Sequence, residues 1–88
     1  MGTTIGNILI SYDVNKLHTQ VKASLELLGY YDNFTNTGES KKYLPNTTLW
    51  HPNKSSNQAI SDLKTVCNSL GVILEKAVAV RASEFVGI

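Results

Sequence analysis

The stretch ILISYDV, Ile8 to Val14, puts a carboxylate where an apolar run ends and a helical pattern begins. An aspartate in that place has two chemistries open to it. It can cap the coming helix or form the turn before it, since Asp and Asn are preferred for both tasks. Asn15, two residues on, competes for the same cap. Alternatively, Asp13 can hold a divalent cation. Mg²⁺ keeps several of its waters and often takes only one or two carboxylates plus phosphate oxygens. One aspartate per chain is a thin site. Two copies facing across a dimer axis make a fuller one, able to activate water against a phosphodiester. The cap or turn is the plainer reading, and both stay open at this stage.

Other groups could serve the same chemistry. Lys16 and His18 follow Asp13 closely, and Lys41-Lys42 form a basic pair; all four are candidate phosphate contacts. Each also has a simpler role, as a solvated lysine or a solvated helix histidine. Tyr12 could position a substrate, although a packed tyrosine with a satisfied hydroxyl is the plainer expectation. Ser11 has no evident base to activate it as a nucleophile. His51, between Trp50 and Pro52, is expected to make a strand-end hydrogen bond, and Cys67 to lie in the core.

The elements that position these groups follow from periodicity. Ile5 to Tyr12 is a short apolar run bounded by glycine and aspartate, as in a buried strand. Leu17, Val21, Ser24/Leu25 and Leu28 recur at helical spacing, and Gly29 supplies the stop. Tyr30 to Thr35 is aromatic-rich and predicts a second strand. Asn36 to Asn46 predicts a loop, and Thr47 to His51 a third strand ended by Pro52. Ser55-Ser56-Asn57-Gln58 fits a capping box. Ile60, Leu63, Val66/Cys67 and Leu70 then form one apolar stripe closed by Gly71. Val72 to Val80 predicts a fourth strand, and the tail from Ala82 to Ile88 can add a short fifth.

A shift of 42 residues, the spacing from Gly29 to Gly71, lays Leu28-Gly29-Tyr30 on Leu70-Gly71-Val72 and Asp13 on Ser55. Such an echo suits a split β-α-β pair. The expected architecture is a single α+β domain over residues 1–88: a ferredoxin-like βαββαβ sandwich, with a four-stranded antiparallel sheet and both helices on one face. Connectivity then puts Lys16, Lys41 and Lys42 at the same end as Asp13, and His51, Lys54 and Ser55 at the other. Two helices cover only one face of such a sheet. Apolar residues on both sides of the first strand, and valines in the fourth, predict a homodimer through the open face.

The composition narrows the classes. The chain has 88 residues, a net charge of +1 and 42% hydrophobic residues. It is long enough for one core and too apolar for disorder. The near-neutral charge lacks the basic excess of tight non-specific nucleic-acid binders. Arg81 is the only arginine, so bidentate phosphate or guanine recognition would fall to lysine and backbone. One cysteine allows no internal disulfide or cysteine metal motif. No apolar run is long enough to span a bilayer, and the start lacks a secretion signal. An intracellular, cytoplasmic protein without a membrane partner is expected, and the N-x-S/T sequons at Asn33, Asn46 and Asn53 are read as chance.

ILISYDV resembles the first strand of the CRISPR-associated protein two family, whose members carry a tyrosine–aspartate or similar pair at that strand's end. NTTLWHPNKSSNQAISDLKTV, Asn46 to Val66, resembles the third strand and second helix of small relatives of that family, the SinR-like proteins. The resemblance implies a ferredoxin-like homodimer in which Asp13 coordinates Mg²⁺ or Mn²⁺ near the two-fold axis. It implies a metal-dependent endoribonuclease or nuclease acting on RNA or DNA. Other members are non-catalytic scaffolds. CRISPR members are often richer in arginine after the first strand, where this chain reads Asn15-Lys16-Leu17-His18.

Two functions from different classes are therefore expected to compete. One is a phosphodiester-cleaving dimer with Asp13 as its catalytic and metal-binding residue. The other is a non-catalytic dimeric scaffold or antitoxin-like module, with a nucleic acid, a toxin or a CRISPR-type protein as its partner. A small-ligand regulatory domain ranks behind both. An RNA-recognition module shares the strand order, but TTLWHP has one aromatic and lacks the glycine of that module's signature.

Overall fold

The computed structural model describes residues 2–87. Strand β1, Gly6–Val14, is the centre of the fold. Its alternation is strict: Ile8, Ile10, Tyr12 and Val14 are buried, while Asn7 and Asp13 are exposed and Leu9 and Ser11 half-exposed. Period-two burial of this kind puts one side of a strand in the core and leaves the other to the second face. The remaining elements are α1 (His18–Leu27), β2 (Asn33–Phe34), β3 (Lys42–Tyr43), β4 (Thr48–Lys54), α2 (Ser56–Leu70) and β5 (Leu74–Arg81). β1 lies between β4 and β5 and is antiparallel to both.

The core joins the even residues of β1 to Leu49 of β4, Val21 and Leu25 of α1, and Ala59, Leu63, Val66 and Cys67 of α2. α2 is the better specified helix. Ser55 accepts from the Gln58 backbone N–H at 3.1 Å, and the Gln58 side chain accepts from Ser55 N–H at 2.9 Å, so the expected capping box is formed. Both helices stop in the same way. Val72 N–H reaches Cys67 C=O across left-handed Gly71, and Tyr30 N–H reaches Leu25 C=O across left-handed Gly29. This shared 6→1 closure, with glycine at the left-handed position, is the physical content of the 42-residue echo.

The start of α1 departs from expectation. Its N-cap position is Leu17, in the left-handed region at φ 58°, and no side chain caps the helix. Asp13 is not the cap, because it is still inside β1. Asn15 is not the cap either: its Oδ1 accepts from Ile73 N–H at 3.0 Å, and its own N–H donates to Ile73 C=O. The residue is spent on bracing the end of β1 against the approach to β5.

The second strand is the larger correction. Tyr30 to Thr35 does not form a continuous fourth strand of the main sheet. Tyr31 makes one antiparallel bridge to Trp50, with mutual backbone bonds of 2.8 and 3.0 Å. The chain then turns away, and Asn33–Phe34 pairs with Lys42–Tyr43 in a separate two-stranded sheet inside the expected loop. The cause is side-chain competition. The Trp50 indole N–H takes the Asn33 carbonyl at 2.6 Å, an acceptor that a continuing ladder would need. Asp32 is meanwhile held by Lys22 at 2.9 Å and by the Asn33 amide at 2.7 Å. The result is an α+β molecule with a three-stranded antiparallel sheet and a two-stranded one.

Two further boundaries shift. β4 runs past Pro52 to Lys54, because the register with β1 breaks between Gly6 and Ile8 and the proline sits at that irregularity. The tail forms no fifth strand among its described residues, 82–87. Ala82 N–H extends the β5 ladder to Asn7 C=O, and the chain then crosses to β4, where the Phe85 ring meets Trp50.

Candidate functional site

Asp13 is exposed on the helix-free face, in line with Leu9 and Ser11. Its register partner on β5 is Lys76, so a cation and a carboxylate are cross-strand neighbours on that face. They do not close an ion pair among the described residues. Together with Ser11, Tyr12, Ala77 and Val78 they line a shallow groove of about 190 Å³. On the same face, Leu9 has Val80 on one side and Trp50 on the other, and Ser11 has Val78 and Thr48. Val78 and Val80 are 53% and 45% exposed. The acid therefore stands at the end of an apolar strip that the helices do not cover.

The other expected residues are dispersed. Lys16 is exposed in the connection after β1. His18 opens α1 and lines a separate groove with Thr19, Lys22, Asn46 and Thr47. Lys42 is the register partner of Phe34, and Lys41 lies 5.9 Å from the Tyr43 ring. No hydrogen bond or ion pair joins these groups to Asp13 among the described residues. Tyr12 is packed in the core, and burial raises its hydroxyl pKa to about 12. That hydroxyl makes no hydrogen bond to the described residues, and no buried side-chain polar atom is left unpaired, so it meets solvent. Cys67 is buried as expected, which pushes its thiol pKa up.

At the opposite end of β1, His51 and Lys54 pair with Ile8 and Gly6, as connectivity predicts. His51 makes the expected strand-end hydrogen bonds. Its Nδ1 accepts from Asn53 N–H at 3.0 Å and its Nε2 lies 3.2 Å from Leu28 C=O, which fixes a neutral ring with the proton on Nε2. Burial and the nearby Lys54 cation hold its pKa below the ordinary histidine value. A Cβ at Gly29 would sit 2.9 Å from Nε2, so the glycine serves both the helix stop and this contact. Beside His51, Asp62 accepts from the Tyr30 hydroxyl at 2.8 Å and pairs with Lys54 at 3.1 Å. Burial and this bond push the Tyr30 hydroxyl pKa well above the tyrosine range. The sequence carries no local signal for this cluster, since Tyr30 and Asp62 stand 32 residues apart.

A second feature escaped sequence reasoning. Trp50, Phe34 and Phe85 gather around a cavity of about 290 Å³ that also touches Asn7, Thr35, Asn36, Ser83 and Glu84. Phe85 lies edge-on to Trp50 at 5.1 Å and is tilted against Phe34 at 5.2 Å. The aromatic character of residues 30–35 was a partial signal; the contribution of the tail was not.

A divalent cation at Asp13 would find one carboxylate from this chain. No group of three or more His, Cys, Asp or Glu suitable for a metal occurs among the described residues. The donor set fits a hydrated Mg²⁺ or Mn²⁺ only if a second copy adds its own Asp13. No described helix is long and apolar enough to cross a membrane. In comparisons with family models, curated proteins and solved structures, nothing matches the chain.

Proposed function

We propose that the chain acts as a ferredoxin-like homodimer that cleaves phosphodiester bonds in RNA or DNA, in the manner implied by its resemblance to the CRISPR-associated protein two and SinR-like proteins. One observation carries this reading: the exposed Asp13 shares its face with the uncovered strip of Leu9, Val78 and Val80. Burying that strip against a second copy brings two lone carboxylates to one interface. The single bridge between Tyr31 and Trp50 supports the ferredoxin-like description, since it pairs one residue of the expected second strand with β4.

Two copies of Asp13 would hold Mg²⁺ or Mn²⁺, which would supply a polarised phosphate and an activated water. The chain's own groups then orient the substrate. Lys76, in register with Asp13, is placed to hold a phosphate oxygen beside the acid. Ser11, on the same face, offers a hydroxyl to the same groove.

The test is a purified chain incubated with labelled single-stranded RNA and DNA, with and without Mg²⁺ or Mn²⁺. Cleavage requiring the divalent ion is expected, and Asp13→Asn reduces it at least about a hundredfold while the fold is kept. Equal cleavage by the variant and the parent overturns the assignment.

The scaffold reading is favoured by a separate observation. Lys76 beside Asp13 supplies a positive charge that disfavours a second cation there. On that reading the dimer binds its toxin, CRISPR-type protein or nucleic-acid partner without turnover, and no divalent ion elicits cleavage.

A further inference from the structure

The cavity between β4 and the tail combines surfaces that are usually kept apart. Three aromatic rings, from Trp50, Phe34 and Phe85, form its apolar side. The polar residues Asn7, Thr35, Asn36, Ser83 and Glu84 border the same space. Its volume of about 290 Å³ is at the small end for a ligand pocket. The fit is to one planar heterocycle with hydrogen-bonding edges, stacked on a ring beside polar residues.

The site is held in shape. The Trp50 indole N–H is already committed to Asn33 C=O, and Tyr31 packs against the ring at 5.5 Å, so the indole plane is fixed. The Asn36 amide donates to Phe85 C=O at 2.8 Å and ties the tail over the cavity. Gly87 continues the tail so near Phe34 that a Cβ there would stand 3.0 Å from the ring. The nearest cation by register is Lys42, the partner of Phe34, which makes no ion pair among the described residues.

We propose that this cavity seats one unpaired nucleobase, stacked on an aromatic ring of its wall, with Lys42 meeting the attached phosphate. Base–aromatic stacking tolerates any base, and one lysine supplies a phosphate contact at this site. The site is separate from Asp13 and stands whether or not the chain cleaves. Asn7 and Asp13 lie on the same face, six residues apart on β1, a span of about 20 Å.

Trp50 is the only tryptophan of the chain, so its fluorescence reports on this cavity. Titrating the full chain with adenosine, with AMP and with a short oligoadenylate is expected to give saturable changes with all three. Tighter binding of the oligomer assigns the seat to a nucleic-acid strand, and equal binding to AMP assigns it to free nucleotides. Phe85→Ala should weaken adenosine and AMP by about fivefold or more. Ser83→Phe fills the cavity while keeping every ring, and should give the same loss. Lys42→Gln should weaken AMP and leave adenosine unchanged. The absence of a saturable change with any probe overturns the proposal. So does binding by both Phe85→Ala and Ser83→Phe that matches the parent.

Discussion

Asp13 and His51, at opposite ends of β1, differ in how far their side chains are engaged. The Asp13 side chain makes no hydrogen bond or ion pair among the described residues. His51 is saturated: Asn53 N–H occupies Nδ1, and Nε2 faces Leu28 C=O. Protonating Nδ1 would set two donors against each other. Burial, with the nearby Lys54 cation, lowers the folded pKa, and between it and the unfolded value the unfolded chain binds more protons. The His51 contribution to stability is present in full above about pH 6.5 and is lost as pH falls from there towards the lowered folded value. Thermal melts between pH 7.5 and pH 5 should show this decline, and His51→Gln should flatten that segment of the profile. A variant as steeply pH-dependent as the parent would assign the decline to another group.

At the scale of elements, α2 has both its ends written in local sequence, whereas the start of α1 depends on distant partners. Ser55→Ala removes the acceptor for Gln58 N–H and should cost about 1 kcal/mol, read from urea unfolding as a lower midpoint with an unchanged slope. An unchanged midpoint would mean that the cap adds nothing. This contrast explains what was legible beforehand. The capping box, the glycine stops and the α2 stripe are local patterns, and each appears where its residues predict. The fate of the second strand was not legible, because it turns on the Trp50 indole taking the Asn33 carbonyl from a distant element. The same holds for Asn15, which looks like a cap until Ile73 arrives. Asp13 could be picked out as a strand-end acid. That Lys76 would stand across from it, and that Lys42 would join Phe34, depended on register, which no local stretch records.

At the scale of the whole molecule, the two helices cover one face and leave Leu9, Val78 and Val80 on the other, with the tail crossing towards Trp50. A face of this kind is better buried than hydrated. If the homodimer proposal is right, Val80→Glu should shift the species seen by light scattering from two chains to one, while the helical circular dichroism persists. A parent chain that scatters as a monomer at high concentration removes the interface, and with it the paired Asp13 site. Nucleobase binding at the tail cavity would survive that result, since its residues come from one chain.

Among the described residues β5 pairs with β1 on one side only, which leaves its outer backbone without a strand partner there. Its valines would invite stacking of chain upon chain, but Glu75 and Lys76 near one end and Arg81 at the other confine the uncharged stretch to Ala77–Val80. That stretch is shorter than the six or seven residues from which steric zippers grow. Charges at the two ends thus act as gatekeepers against fibrils, and the same border is left free for ordered assembly.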